Sequence, residues 1–196
     1  LMSYRTYLEC VSIISAACAS TGIIYATTFH GMKPLIDTGT EDQKKRLLPR
    51  IADGGLAALA ITEPTAGSDA TGMKTRFTPD GEDIIVDGGK IFISSGDVAD
   101  LTLLFGKWSE IADAKQAISV LVLEKGAKGI NVIRREEKMG HRASSTVALS
   151  FEGMRVPRAN LLGVPGDGLR ILLASLNKSR PSIAAHARGI ARAAFG

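Results

Sequence analysis

The strongest constraint on the fold is a change of sequence pattern at Leu56, where helix-like periodicity gives way to short apolar runs rich in β-branched residues. These runs continue to Glu152 and are separated by glycine, proline and aspartate, as in strands joined by tight turns. Pro79-Asp80-Gly81 and Asp87-Gly88-Gly89 lie at hairpin distance between runs, which predicts an antiparallel sheet or barrel. The predicted strands are Ala57 to Ile61, Ile84 to Val86, Ile91 to Ile93, Leu101 to Phe105 and Ile118 to Leu123.

Helical patterns precede the β-rich stretch, from residue 4 to residue 51. We predict that Gly39 ends one helix and that Thr40 begins the next, because Thr40 and Gln43 have the spacing of a capping box. Pro49 is expected to break or kink that second helix. The N-terminal part of the chain is therefore predicted to be helical.

A second helical pattern follows the loop at residues 163–168. Gly163, Gly166 and Gly168 superficially suggest a phosphate-binding loop, but no clear strand precedes them, which favours a turn at the entry to a helix. The order of helices, β-domain and helices predicts an α+β fold.

The most informative motif is residues 62–69, which read Thr-Glu-Pro-Thr-Ala-Gly-Ser-Asp. The preceding apolar run stops where Glu63 precedes Pro64, and because a residue before proline is disfavoured in helical geometry, we predict that the strand leads into a loop. The small side chains that follow allow a planar or anionic ligand to approach the backbone N–H groups. An ordinary turn between strands fits the same composition equally well. Glu63 and Asp69 are expected to have turn or capping roles.

Composition excludes several classes of protein. The net charge of +4, from 24 basic and 20 acidic residues, is too slight for a nucleic-acid-binding protein without a clustered basic stripe.

Cys10 and Cys18 are predicted to lie on one helix about 12 Å apart, which is too far for a disulfide. As buried free thiols they fit a reducing compartment. No zinc-ligand spacing occurs, so we predict no metal site. The uncharged segment Val11 to Phe29 is rather polar for lipid, which favours a buried helix over a membrane span.

Several motifs, in this order along the chain, resemble those of the acyl-CoA dehydrogenases. The likeness spans nearly all 196 residues. It implies an N-terminal helical domain that ends in residues 1–55, a middle β-domain in residues 56–157 and the start of a truncated C-terminal helical bundle in residues 158–196. The motifs are residues 62–69, Gly88 to Ser94, Lys138-Met139-Gly140, Ser144-Ser145-Thr146, Phe151-Glu152, Val156-Pro157 and Asn177 to Pro181.

The resemblance implies FAD as the cofactor. An aromatic ring at the position of Phe92 lies against the flavin in the family, and a hydroxyl at the position of Ser94 lies near flavin N5. Without the neighbouring motifs, Phe92 would be interpreted as a core residue of an alternating strand. The implied FAD-contacting residues are Leu59, Ile61, Thr62, Gly67, Ser68, Phe92 and Ser94.

The resemblance also implies that the helix carrying Asn177 to Pro181 lines the acyl-CoA channel. Asn177 and Arg180 are three residues apart and can share a helix face, although a solvated arginine would have the same pattern. The implied substrate-binding residues are Ser68, Asn177, Lys178, Ser179 and Arg180.

The implied reaction is removal of a proton from the α-carbon and a hydride from the β-carbon of an acyl-CoA, giving a trans-2-enoyl-CoA. Some family members carry the catalytic glutamate immediately before the arginine, where this chain has Ser179. Most others carry it in the C-terminal bundle. We therefore predict that the base lies outside this chain and that the fragment alone is inactive.

The resemblance implies an electron-transferring flavoprotein as acceptor, a homotetramer or homodimer, and a location in the cytoplasm or the mitochondrial matrix. Two alternatives stay open from the sequence. One is a flavin-dependent oxidase or monooxygenase on the same fold, and the other is a non-catalytic binding or scaffold protein.

Overall fold

A computed structural model describes residues 3–196, which form four α-helices and a curled seven-stranded sheet. The predicted order of helices, β-domain and helices is confirmed. The helices are α1 Tyr4–Ala17, α2 Ala19–Thr38, α3 Glu41–Ala52 and α4 Gly168–Phe195. The strands are β1 Ala57–Ala60, β2 Arg76–Asp80, β3 Asp83–Ser94, β4 Leu101–Trp108, β5 Ile118–Glu124, β6 Ile130–Arg135 and β7 Thr146–Pro157.

The sheet has the order β1-β4-β2-β3-β7-β6, and β5 also pairs with β4. The pairs β2–β3, β3–β7, β6–β7 and β4–β5 are antiparallel, as predicted. At β4 the prediction is corrected, because β1 and β2 both run parallel to it and the sheet is mixed. A parallel pair needs a long connection, and the chain between β1 and β4 supplies one.

Of the two glycine turns predicted within the β-domain, one is confirmed and the other is wrong. Pro79-Asp80-Gly81 does form a hairpin, because Asp80 pairs with Asp83 and Gly81 has a φ of 62°. The turn expected at Asp87-Gly88-Gly89 is wrong, since β3 continues through it with a shift of register against β7. A Cβ on Gly88 would lie 2.7 Å from Thr75 Cα, so the missing side chain serves close packing here.

Strands β4 and β5 are buried on both faces, which explains their continuous apolar sequence. Leu104 packs into the interior of the curled sheet with Phe77, whereas its neighbours Leu103 and Phe105 pack towards the helices. Ile171 of α4 belongs to this second core. The helices therefore cover one face of the sheet.

The capping box of α3 is confirmed, with Gln43 N 3.2 Å from Thr40 Oγ1 and Thr40 N 3.0 Å from Gln43 Oε1. Gly39 caps the end of α2, also as predicted. The break expected at Pro49 is wrong, because α3 continues to Ala52. Pro49 removes only its own N–H donor from the helix, and buried Leu47 holds this turn against the core.

The uncharged segment from Val11 to Phe29 consists of two helices that meet at Cys18, which has extended backbone angles. Within residues 3–196, the structure contains no helix with the length and apolar character that a membrane span requires. Both cysteines are free thiols. The expectation that both are buried is wrong, because Cys18 sits exposed at the junction and Cys10 is half-buried.

Candidate functional site

The loop after β1 and the carboxyl-terminal half of β3 converge in the structure. Ile91 N donates a hydrogen bond of 2.9 Å to Thr62 O, and Lys90 Nζ donates one of 2.9 Å to Ile61 O. Both carbonyl groups at the end of β1 are therefore held by β3. Phe92 and Ser94 follow directly along this strand, so the two segments of the predicted flavin site share one surface.

The loop itself begins with a tight turn. Glu63 and Ala66 exchange two backbone hydrogen bonds of 3.1 Å, and Ala66 is buried. Gly67 and Ser68 are exposed, and a Cβ added to Gly67 would have no neighbour within 4 Å. Asp69 accepts a 3.0 Å bond from Thr71 N and caps a short turn, as predicted. The tip of the loop is thus open to a ligand that contacts the backbone.

Phe92 has a conformation that is uncommon for its residue type. Its φ is 60°, and two β3 residues lie opposite one residue of β7 between Lys90 and Ile93. This bulge turns the ring outwards, leaving Phe92 58% exposed near the end of β3, although the next residue is buried. Bulges and positive φ values of non-glycine residues are concentrated at functional sites. The geometry presents an exposed aromatic ring on the strand that is hydrogen-bonded to the start of the loop.

Two of the other predicted site residues carry hydroxyl groups. Thr62 and Ser94 are half-buried, and Ser94 pairs with Thr146 across the β3–β7 ladder. Leu59 and Ile61 are partly buried and pack against the core under the helices. The predicted FAD-contacting residues thus combine hydroxyl groups, accessible backbone and one exposed ring. A flavin, which is planar and carries many hydrogen-bonding atoms, fits this combination.

A buried ion pair beneath the loop was missed by the sequence reasoning. Lys90 is 0% exposed and Glu63 is 5% exposed, and their Nζ and Oε1 atoms are 2.7 Å apart. Glu63 also accepts bonds from Lys74 N at 2.6 Å, Thr75 N at 3.0 Å and Thr75 Oγ1 at 2.6 Å. The signal in the sequence is a lysine inside an apolar strand, a pattern that normally requires a buried partner.

Both partners of this pair are charged at neutral pH. Burial lowers the pKa of Lys90 to about 8, and the interaction with Glu63 opposes that decrease. Burial raises the pKa of Glu63, but the hydrogen bonds from Lys90, Thr75 and Lys74 outweigh it, so the net pKa is lowered. Three of the four donors contact Oε1 and one contacts Oε2. Glu63 is therefore held as a structural anion, because these donors and the charge of Lys90 stabilise its ionised form.

Ser68, one of the residues predicted to bind substrate, is exposed on the loop after β1, and the other four lie on α4. Asn177 and Arg180 are exposed. Lys178 forms an ion pair of 3.2 Å with Asp37 of α2. Ser179 is buried, and its hydroxyl donates to Leu176 O at 3.1 Å. Arg180 and Asn177 are therefore accessible to a ligand, whereas Ser179 faces the packed interior of the helices.

Helix α2 packs against both α4 and β1, the strand that leads into the loop carrying Thr62. His30 Nε2 is 2.5 Å from Ser182 Oγ on α4, and burial lowers the pKa of His30 to about 4. The next residue, Gly31, packs directly on β1, because a Cβ there would be 2.7 Å from the carbonyl carbon of Ala57. Residues 177–180 are thus connected to the loop through α2 and not by direct hydrogen bonds among the residues that the structure describes.

A large apolar cavity lies elsewhere. It has a volume of about 710 Å³ and is lined mainly by α1 and α2, including Tyr7, Tyr25 and Phe29. Leu56 closes it at the beginning of β1, whereas the flavin loop follows the end of β1. None of the predicted site residues lines this cavity.

Comparison with known proteins identifies the family. The model of the N-terminal domain of acyl-CoA dehydrogenases matches residues 1–55, and that of the middle domain matches residues 58–154. An acyl-CoA dehydrogenase from Bacillus subtilis is 38% identical over 192 residues, which cover 97% of this chain and 50% of the relative. The chain belongs to the acyl-CoA dehydrogenase family.

Solved structures of high similarity include butyryl-CoA dehydrogenase from Megasphaera elsdenii, with a TM-score of 0.93 and 34% identity over 98% of this chain and 51% of the matched chain. A structure described as an electron-transferring flavoprotein of Acidaminococcus fermentans has a chain with a TM-score of 0.95 and 36% identity, covering 98% of this chain and 51% of that one. The chain therefore spans about half the length of these relatives.

Two positions are relevant to the question of which residue acts as the base in an acyl-CoA dehydrogenase. Ser179 occupies the position immediately before Arg180, so no carboxylate is present there. Glu63, the acidic residue buried in the loop after β1, is paired with Lys90 and accepts four hydrogen bonds. Residues 3–196 also contain no group of three or more histidine, cysteine, aspartate or glutamate side chains placed to hold a metal ion. The base of the family reaction thus remains unassigned.

Proposed function

We propose that this chain forms the FAD-binding face, and one wall of the substrate site, of an enzyme that oxidises an acyl-CoA to a trans-2-enoyl-CoA. The observation that carries the proposal is the exposed Phe92 ring, with its φ of 60°, next to Ile91, whose N–H is bonded to Thr62 O at the start of the open loop. A strained, outward aromatic residue is explained by a planar ligand that packs on it.

The residues present fit FAD, which when bound supplies the acceptor for a hydride from the substrate β-carbon. Thr62, Ser68 and Ser94 hold hydroxyl groups around the proposed ring position, and the backbone of Gly67 is accessible to the phosphates. Phe92 covers one face of the site and excludes water there. Leu59 and Ile61 close the apolar floor.

Substrate would be held from α4, where Asn177 and Arg180 are exposed. Arg180 is the group of this helix that we propose to contact the acyl-CoA, since its neighbour Lys178 is engaged by Asp37. The proton at the α-carbon requires a base from outside these residues. An electron-transferring flavoprotein as acceptor and a homo-oligomeric assembly are part of the same proposal and are supported by the family. Two free thiols are consistent with a reducing compartment, the cytoplasm or the mitochondrial matrix.

The experiment uses the protein expressed at the length that its gene encodes. It is purified, saturated with FAD and titrated anaerobically with short-chain and medium-chain acyl-CoA. We expect bleaching of the flavin absorbance and a trans-2-enoyl-CoA product. A protein that binds no FAD, or that binds it without bleaching by any acyl-CoA, would contradict the proposal. Rapid reoxidation by oxygen with peroxide release would identify an oxidase instead.

Two variants test the assignment of Phe92. Phe92→Leu removes the aromatic face, and we expect weaker FAD binding and a shifted flavin spectrum. Phe195→Leu is the matched control, because Phe195 is also exposed but lies at the end of α4. Equal FAD affinity in the two variants would remove the main support for the site.

Arg180→Ala tests the substrate side. Loss of one hydrogen bond to a charged group weakens binding by roughly 1.5–3 kcal/mol, so we expect KM for acyl-CoA to rise about tenfold or more with FAD content unchanged. Arg188→Ala, an exposed arginine two turns further along α4, is the control. If both variants have the KM of the unaltered protein, Arg180 is a solvated side chain.

A further inference from the structure

Beneath the flavin loop lies a cluster of three buried polar side chains, Glu63, Thr75 and Lys90, to which none of the preceding assignments gives a role. We propose that this cluster is a positioning device that sets the geometry of the FAD-binding loop. The inference rests on the proposed function, because it concerns how the same loop is held.

The first step is the closure of the loop by Glu63. Its carboxylate lies at the beginning of the loop and binds the backbone N–H groups of Lys74 and Thr75 at 2.6 and 3.0 Å, at the end of the loop. The two ends of the segment from residue 62 to residue 75 are thereby tied to one side chain. A loop with both ends fixed loses far less conformational entropy when a ligand orders it.

The second step is the connection to β3. Lys90 Nζ donates to Glu63 Oε1 at 2.7 Å and to Ile61 O at 2.9 Å, and its third close partner is Met73 Sδ at 4.0 Å. One ammonium group therefore contacts the residue before the loop, the closing carboxylate and the far limb of the loop. Because Phe92 follows Lys90 by two residues, the same strand fixes the ring relative to the loop.

The third step concerns why a charged pair, Glu63 and Lys90, occupies a position buried from solvent. A buried ion pair contributes little net stability compared with apolar residues of similar volume, so stability is a weak explanation for it. Hydrogen bonds to a carboxylate are directional, and here four of them converge on Glu63. The pair is better explained by the precision with which it orients the backbone around Thr62.

Glutamine cannot replace Glu63 in this arrangement. A carboxylate offers about four acceptor sites, whereas a side-chain amide offers about two and adds two donors. With four donors aimed at Glu63, the Glu63→Gln variant must leave at least one of them without an acceptor. The loop is then expected to move or to loosen although the side-chain volume is conserved.

The main test compares two variants of Thr75, whose side chain is fully buried. Thr75→Val keeps the shape but removes the 2.6 Å hydrogen bond to Glu63, and Thr75→Ser keeps the hydroxyl but removes a methyl group. The dissociation constant for FAD is measured by fluorescence quenching at a temperature where circular dichroism shows both variants folded. We expect roughly tenfold weaker FAD binding for Thr75→Val and nearly unchanged binding for Thr75→Ser.

Glu63→Gln and Lys90→Met are measured in the same way, with Ile84→Ala as the control for general destabilisation. Ile84 is fully buried at the other end of β3, away from the loop. We expect weaker FAD binding and an altered flavin absorption band for the first two variants, and unchanged FAD binding for Ile84→Ala despite its lower melting temperature. If Lys90→Met does not fold, the comparison of the two Thr75 variants decides the question alone.

The outcomes separate this inference from the proposed function. If the unaltered protein binds no FAD, the proposed function fails. If it binds FAD and the Thr75→Val and Glu63→Gln variants bind it with unchanged affinity, the proposed function stands and the positioning role is wrong. Equal losses in Thr75→Ser and Thr75→Val, or an equal loss in Ile84→Ala, would also overturn the positioning role, because stability alone would then explain the effect.

Discussion

Replacement of Gly31 by alanine tests how closely α2 must approach β1. A Cβ at this position would lie 2.7 Å from the carbonyl carbon, 2.8 Å from Cβ and 2.9 Å from the carbonyl oxygen of Ala57. Carbon atoms pack best at about 3.5–4.0 Å, so helix and strand must separate by roughly 0.8 Å. Two of the three neighbours are backbone atoms, which cannot rotate away. The added methyl group must therefore displace β1 or α2.

The expected loss of stability is the difference between two opposing contributions, helix propensity and overpacking. Alanine in a helix interior is favoured over glycine by about 1 kcal/mol. Overpacking of a well-packed core costs about 1–3 kcal/mol, occasionally more, and contact with backbone places Gly31→Ala at the upper end of that range. We expect a net decrease of about 2 kcal/mol in the free energy of unfolding. For a domain of this size, the melting temperature should fall by roughly 4–8 °C.

The assay is thermal and urea unfolding of Gly31→Ala beside Gly140→Ala, where an added Cβ has no neighbour within 4 Å. The control should retain its melting temperature. Because β1 leads into Ile61 and Thr62, Gly31→Ala should also weaken FAD binding. A Gly31→Ala protein as stable as the control would show that α2 and β1 have more room than the structure indicates, and would refute the reasoning.

Three further predictions concern single side chains. Phe92→Gly should raise the free energy of unfolding by about 1 kcal/mol, because it relieves a positive φ at an exposed residue, while it weakens FAD binding; a less stable variant in urea unfolding would contradict this. The pKa of His30 is about 4 in the folded chain and about 6.5 when unfolded, so stability present above pH 6.5 is lost as the pH falls towards 4, by roughly 3 kcal/mol in all. His30→Gln should flatten that dependence in urea titrations at pH 7.5 and 5, and an unchanged slope would exclude His30 as its source. Thr40→Ala should cost about 1 kcal/mol through loss of the α3 cap, and an unchanged urea midpoint would show that Gln43 alone suffices.

Local sequence signals determined most of the element types. The capping box at Thr40 needs only residues within one turn, and the hairpin at Pro79-Asp80-Gly81 needs only its own backbone, so both could be predicted. The turn expected at Gly88 was wrong because the glycine is required there by the close packing of Thr75. Thr75 lies on another segment of the chain that packs on β3. Glycine in a strand marks either a turn or a close approach, and sequence alone does not separate the two.

The candidate site could be predicted from the sequence only in part. The convergence of the loop and β3 followed from the family resemblance and is visible in the bond between Ile91 and Thr62. The ion pair of Glu63 and Lys90 was missed because its partners are 27 residues apart and belong to different elements. Parallel pairing at β4 was missed for the same physical reason, because it depends on the path of the long connection between β1 and β4.

Departures from local rules are concentrated at the proposed flavin site. Among residues 3–196, the non-glycine residues with positive φ are Phe92, Ser95 and His141, and two of them lie at the end of β3. The fully buried Lys90 lies two residues before Phe92. Strain and a buried charge both reduce stability unless other parts of the structure compensate, so their coincidence on one strand is unexpected for a purely structural element. The large cavity beside α1 and α2 is apolar throughout most of its lining and contains none of these strained residues. The surface at the end of β1 and β3 combines strain, hydroxyl groups and accessible backbone, which makes it the stronger candidate for chemistry.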